Sequence, residues 1–253
     1  MQTSSFKVAV AQHPSVKGDI AANIRSHLRF IQAGADEGVD LMVFPELSLT
    51  GYEPELAAEL ALSADDQRLQ PMLDLARERG ITAVVGAPLK KEAQLPELSS
   101  LIISPKGMSH YSKIWLHPGE DTYFQPADQH QFLTFGEHKV GLAICADANN
   151  DIHPKNCANA GAGVYLAGVL IGEGGYPADT ANLARYAREN KMLVAMANHN
   201  RETGGWQPAG KSAIWSTDGM LAQADQDSDC LVIAEVMDGQ WQARVVLVMS
   251  LKS

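Results

Sequence analysis

Short apolar runs of strand length recur along the whole of this chain, and helix-length amphipathic stretches separate only some of them. FKVAVAQH at 6–13, LMVFPE at 41–46, ITAVVGAPL at 81–89, GVYLAG at 163–168 and KMLVAMAN at 191–198 read as strands. A helix is expected over 19–38, where Ile20, Ile24, Leu28 and Ile31 share one face, and a second over 65–79, closed by Gly80. Further helices are expected around 154–161 and 179–190. Other strand runs follow one another directly. ELSSLIISP at 97–105 precedes a short strand near 107–114, and HQFLTF and HKVGLAIC form a pair turning at Gly136. In the tail, SAIWST meets an Asp218-Gly219 turn before DCLVIAEV and QARVVLVM. Helix crossovers early and hairpins later fit a layered α/β sandwich better than a purely parallel doubly wound sheet. With no internal repeat or linker in the 253 residues, a single domain over 1–253 is expected.

Composition removes several function classes. A net charge of −10 opposes nucleic acid or an anionic membrane as partner, since both call for clustered Lys and Arg. No 18-residue apolar stretch occurs, and MQTSSFKVAVAQ lacks the regions of a signal peptide. Cys145, Cys157 and Cys230 form neither a disulfide framework nor a zinc spacing, and the eight histidines show no paired metal spacing. A reducing cytoplasm is the expected location.

Three residue types point to a chemistry. Cys145 ends the apolar run VGLAIC, where a thiol reads either as a small buried hydrophobe or as a nucleophile aimed into a cleft. Glu46 ends another run, in VFPELSLTGY, and is by itself equally a surface glutamate capping a loop. Lys113, in HYSKIWL, is either a snorkelling lysine on an edge strand or a partly desolvated amine. Together they offer a base, an electrophilic stabiliser and a nucleophile. Glu46 could take the thiol proton as Cys145 attacks a carbonyl, while Lys113 and the backbone N–H of Ala146 receive the oxyanion.

In that order, VFPELSLTGY, HYSKIWL and GLAICAD resemble the three signature segments of the nitrilase superfamily, the carbon–nitrogen hydrolases. The resemblance extends to the opening VAVAQ and the helix after it, so it covers nearly the whole chain. It implies a four-layer α-β-β-α sandwich with Glu46 as general base, Lys113 as stabiliser of the tetrahedral intermediate and Cys145 as nucleophile. A second family glutamate that positions substrate corresponds to Glu120 in HPGEDTYF. The implied reaction is hydrolysis of a small non-peptide amide through a thioester, with release of ammonia and without metal or organic cofactor. An N-carbamoyl amine or amino-acid hydrolase and a nitrilase are alternatives within the family. Assembly into a homodimer or higher homo-oligomer is also implied, and VVLVM at 245–249 is either an interface or a core strand.

The chain departs from the family pattern behind the cysteine. In CADANNDIHPK, Asp147 is kept, but Asn149 stands where many members carry arginine, and Lys155 follows Pro154. Recognition through that arginine is therefore in doubt. The glycine-rich VLIGEGGYPADT at 169–180 carries Glu173, either a solvent-facing loop residue or a carboxylate favouring a substrate with an amine. Tyr52 is expected to order the loop behind Glu46 and to border the substrate. His199 and Trp206 are either pocket wall or interface, whereas Cys157 and Cys230 read as packing residues. Outside the family, a metal-dependent phosphoesterase on a similar sandwich would need a His-Asp segment near the C-terminus that this sequence lacks. A catalytically idle binding protein on the same fold is opposed by the full triad.

Overall fold

Alternation with a period of two along the strands decides the architecture. In β1 (Lys7–Gln12), Val8 and Val10 enter one apolar core while Ala9 and Ala11 enter another. A strand buried on both faces needs a layer on each side of its sheet. The computed structural model describes residues 5–92 and 94–249; the remaining positions of the expected domain 1–253 lie outside the described residues.

From β1 the chain runs through α1 (Ile20–Asp36) to β2 (Leu41–Val43), then through α2 (Ala57–Leu60) and α3 (Gln70–Arg79) to β3 (Thr82–Leu89). Strands β4 (Glu97–Ser104) and β5 (Gly107–Ser112) follow, and then the hairpin β6 (Phe132–Phe135) and β7 (His138–Ile144). Next come α4 (Ile152–Asn159), β8 (Val164–Val169), α5 (Tyr176–Asn190) and β9 (Leu193–Asn198). The tail supplies β10 (Ala213–Ser216), β11 (Gly219–Gln223), β12 (Cys230–Met237) and β13 (Gln240–Leu247). One sheet has the order β13-β12-β1-β2-β3-β4-β5 and the other β11-β10-β9-β8-β7-β6. Parallel pairing is confined to β1–β2–β3 and β7–β8–β9, the stretches where helices intervene. The hairpins β4–β5, β6–β7 and β12–β13 read from sequence are antiparallel, and at the Asp218-Gly219 turn β10 pairs with β11, a strand that the sequence reading lacks.

Residues such as Val10, Val43, Val84, Leu142, Leu166 and Val232 fill the space between the sheets. Ile24, Phe30 and Ile31 of α1 and Met72 and Leu73 of α3 pack on the outer face of the seven-stranded sheet. Leu183, Tyr186 and Ala187 of α5 cover the six-stranded sheet. The four-layer α-β-β-α sandwich is therefore present. Helix α1 starts where the Asp19 carboxylate accepts from Ala22 N at 2.9 Å, and α3 stops at Gly80, whose φ of 70° suits a residue without Cβ. Among the described residues no helix is long and apolar enough to cross a membrane.

Three boundaries differ from the sequence reading in ways that matter later. β2 ends at Val43, so Phe44–Glu46 form a turn rather than the end of a strand. β7 ends at Ile144, which leaves Cys145 in the turn beyond it. Helix α5 begins at Tyr176 because Pro177 suits the first turn, where its missing N–H is not needed.

Under the Glu46 turn lies a buried cluster of imidazoles. The His13 and His27 rings are 4.2 Å apart, and a bridge between His13 and His199 joins the ends of β1 and β9 across the two sheets. Burial lowers His27 to about 3, His199 to about 4 and His13 well below its ordinary 6.5; His153, in α4, is likewise lowered to about 3. Each ring is neutral in the fold and takes a proton more readily when the chain is unfolded. Their contribution to stability is complete above about pH 6.5 and is lost as pH falls toward 3 to 4. Urea midpoints measured in steps from pH 7.5 to 4 should fall continuously, with protons taken up on unfolding. A flat profile would contradict this assignment of neutral buried histidines.

Candidate active site

The Glu46 turn crosses the gap between the two sheets, and two glycines make room for it. A Cβ on Gly86 of β3 would overlap Leu47 N, and one on Gly168 of β8 would overlap Phe44 O. Leu47 itself is left-handed, with φ 51°, a conformation that costs a branched side chain energy and turns the chain sharply after Glu46. Hydrogen bonds fix the turn from both ends. His199 Nε2 donates to Glu46 O at 2.7 Å. His27 Nδ1 donates to Asn23 O at 2.7 Å, so its Nε2 accepts from Ser48 Oγ at 2.9 Å, and Ser48 Oγ accepts from Gly86 N at 3.1 Å.

Lys113 follows β5 and is wholly buried. Its Nζ donates to Glu46 Oε1 at 2.6 Å and to both oxygens of Glu120 at 2.9 Å. Glu120 also accepts from Tyr52 Oη at 2.8 Å and from His117 N at 2.7 Å. A loop glutamate at 3% exposure with these partners is an internal anchor, not an ordinary acidic loop residue. An ammonium has three N–H groups, and here each has an acceptor. Glu46 Oε2, by contrast, is buried with no partner among the described residues.

Cys145 opens the turn after β7 with φ 41°, a left-handed strain that pushes its side chain out of the strand direction. Its thiol donates to Leu170 O at 3.7 Å. Ala146 stands second in this turn, where a backbone N–H has no intrahelical acceptor. Asp147 joins the cysteine turn to the lysine loop: Oδ1 accepts from Ile114 N and Trp115 N, and Oδ2 accepts from Ile144 N and Tyr111 Oη. Because Tyr111 donates to Asp147, His153 Nε2 donates to Tyr111 Oη, and His153 Nδ1 accepts from Tyr165 Oη, both at 2.9 Å. Nothing in the sequence marked this relay. Cys157 and His130 gather beside His153, a grouping of metal-ligand type that the sequence reading missed at the His153-x3-Cys157 spacing. His153 Nδ1, the ring nitrogen near Cys157, already accepts a hydrogen bond from Tyr165 Oη. Cys230 is buried in the core between the sheets.

Glu46, Glu120, Tyr52 and part-exposed Cys145 line one cavity of about 450 Å³, while Lys113 lies behind its wall. Burial raises the Glu46 carboxyl to about 7, against the pull of the Lys113 ammonium, which lowers it. Burial would lower Lys113, but Glu46 first and then Cys145 and Glu120 reverse this, so its ammonium is strongly retained. Burial raises the Cys145 thiol well above its usual range, and the Glu46 charge raises it further. The resting pair is therefore a thiol beside a carboxylate with one free oxygen. That arrangement permits proton transfer at the moment of attack.

The other expected residues divide. Trp206 and Glu173 border the cavity mouth, with Glu173 Oε1 accepting from Gln226 Nε2 at 2.9 Å. Asn149 lines the cavity too, whereas Lys155 is exposed elsewhere. His199 is neither wall nor interface but a buried support of the Glu46 carbonyl. His117, Asp179 and Gln207 line the cavity without having been singled out by sequence, since only the fold brings their loops together.

Known proteins resemble this chain in both sequence and structure. The family described as carbon-nitrogen hydrolase matches residues 7–244. An (R)-stereoselective amidase from Pseudomonas sp is 31% identical over 202 residues, 76% of this chain and 70% of that protein. A glutamine-dependent NAD(+) synthetase from Thermotoga maritima is 30% identical over 64% of this chain, which spans only 29% of the synthetase. The fold is shared with the amidase from Nesterenkonia sp. AN1, seen as a cysteine-to-alanine mutant in complex with butyramide. The TM-score is 0.82 at 22% identity, covering 92% of each chain.

Two substitutions probe this geometry without any substrate. Lys113→Met leaves two buried carboxylates without their cation and should lower stability by about 3–5 kcal/mol in urea titrations at pH 8. Gly168→Ala forces a methyl against the Glu46 turn and should cost about 1–3 kcal/mol. Wild-type midpoints for both would show that the cluster and the close approach are not structural constraints.

Proposed function

Because the chain belongs to the carbon–nitrogen hydrolase family, we propose that it hydrolyses a small non-peptide amide to a carboxylic acid and ammonia through a thioester on Cys145. The observation that carries this reading is that Glu46, with its buried Oε2 free of any partner among the described residues, lines the same cavity as Cys145. Such an oxygen has no structural duty and is available to accept a proton.

In the first half-reaction the Cys145 sulfur attacks the amide carbonyl as its proton passes to Glu46. The carbonyl π pair moves to oxygen, where developing charge meets the Ala146 N–H and the positive field of Lys113. Lys113 has no idle donor in the resting site, so a direct bond to the oxyanion requires it to release one of its bonds to Glu46 or Glu120. Collapse of the intermediate breaks the C–N bond, and Glu46 returns its proton to the departing nitrogen. In the second half-reaction Glu46 takes a proton from water, whose oxygen attacks the thioester. The C–S bond breaks, the sulfur regains a proton and the acid leaves. Glu120 touches Lys113, Tyr52 and the His117 backbone, which suits a role in holding the loop and the ammonium in register.

An ammonia-release screen across aliphatic amides, N-carbamoyl compounds and nitriles tests the reading, and an acyl adduct on Cys145 seen by mass spectrometry tests the thioester. Cys145→Ala should give no turnover, and Glu46→Gln should lose at least about a hundredfold in kcat. Full activity in either variant would sink the mechanism. Glu46 must be ionised to accept the thiol proton, so activity should fall as pH drops. The acid limb of kcat/KM should lie near pH 7 rather than near 4.5, the value of an unperturbed glutamate.

A further inference from the structure

The cavity above Cys145 is charged with one sign. Four carboxylates line it, those of Glu46, Glu120, Glu173 and Asp179, and no lysine or arginine does. Lys113, behind the wall, offsets only one of the two inner carboxylates, so the space remains net negative. Position 149, also on the wall, is a neutral asparagine. Glu46, whose buried Oε2 has no partner among the described residues, lines the inner end of the same cavity.

Asp179 is the informative member. It sits in the first turn of α5, where an acid suits the helix dipole, and that alone would make no site. Its side chain, however, is half-buried against the cavity and takes part in none of the side-chain hydrogen bonds or ion pairs among the described residues. The loss of water raises its carboxyl above the ordinary aspartate value, with only His117 nearby to oppose the shift. A partly desolvated acid without a cation is a cost that a bound cation would remove. Glu173 stands at the same mouth with one oxygen held by Gln226. The indole of Trp206, 53% exposed, adds a π face of the kind that attracts ammonium groups.

We propose that the substrate carries an ammonium group at the end remote from its scissile amide, and that Asp179, aided by Glu173 and Trp206, selects it. This rests on the amidase reading of the same site. A chain ending in methyl leaves Asp179 uncompensated, and one ending in carboxylate meets repulsion from both acids. The class is thus a short ω-amino amide, or the carbamoyl compound of similar shape.

The test compares 4-aminobutanamide with pentanamide, which replaces the ammonium by a methyl of similar size, and with glutaramate, which replaces it by a carboxylate. In wild type, kcat/KM should favour 4-aminobutanamide over pentanamide by about tenfold or more, with glutaramate poorest. Asp179→Asn should collapse that ratio toward unity, Glu173→Gln should reduce it less, and added salt should narrow it in wild type. Binding of the same compounds to Cys145→Ala protein, measured by calorimetry, separates the two layers of argument. Selective binding of 4-aminobutanamide by that protein, with no turnover by wild type, would overturn the amidase reading and keep the cation site. Absence of any preference for the ammonium compound in both assays, or a ratio unchanged by Asp179→Asn, would overturn the cation site.

Discussion

The buried ammonium of Lys113 is the charge around which the site is arranged. Removing an ammonium from water is costly, and the cost is recovered only if each N–H finds an anionic acceptor at short range. Glu46 and Glu120 supply those acceptors, and each is in turn held in place. Glu120 depends on Tyr52 and the backbone of His117, while Glu46 depends on a turn gripped by His199, Ser48 and two glycines. The carboxylate left with one unused oxygen is the one beside the thiol. A single ion cluster therefore fixes the position of Glu46 and sets its affinity for a proton.

The cysteine is brought to this cluster by other means. Its turn is strained at φ 41°, and the strain is held by Asp147, whose four accepted hydrogen bonds bind β7, β5 and the lysine loop into one unit. Burial and neighbouring carboxylate charge keep the thiol protonated at rest. For the proposed mechanism, a carboxylate with a raised proton affinity is the natural complement of such a thiol, because once ionised it takes the proton across a smaller gap in affinity than an ordinary glutamate would.

Much of this was legible in the residues. The period-two runs gave the strands, and helix crossovers against hairpins distinguished parallel from antiparallel pairing. Glu46, Lys113, Cys145 and Glu120 stood in segments specific enough to be singled out, and the fold brings all four together. What escaped reading depends on distance in space. Gly86 and Gly168 look like ordinary strand glycines until the Glu46 turn is placed between them. Asp147 was noted only as a retained residue, although it joins two loops over 30 residues apart in sequence. Asp179 enters the sequence reading only as the start of an expected helix, and His199 reads as either pocket wall or interface, because which side of a loop meets a cavity is settled by the packing of both sheets. The apolar runs overstate β2 and β7 for a related reason: apolar character continues into turns that are buried.

The two glycines also bear on how such a protein can change over time. Because the Glu46 turn fills the interval between β3 and β8, the thickness of the sandwich at that point sets where the Glu46 carboxylate stands. A substitution that spreads or compresses the sheets from the far side of the core would reach Glu46 without touching any other residue of the cavity. Drift in the packing and drift in the chemistry are therefore coupled. A change at the rim, where Glu173 and Trp206 stand, alters what the cavity meets, whereas a change in the apolar layer alters the separation of the sheets themselves.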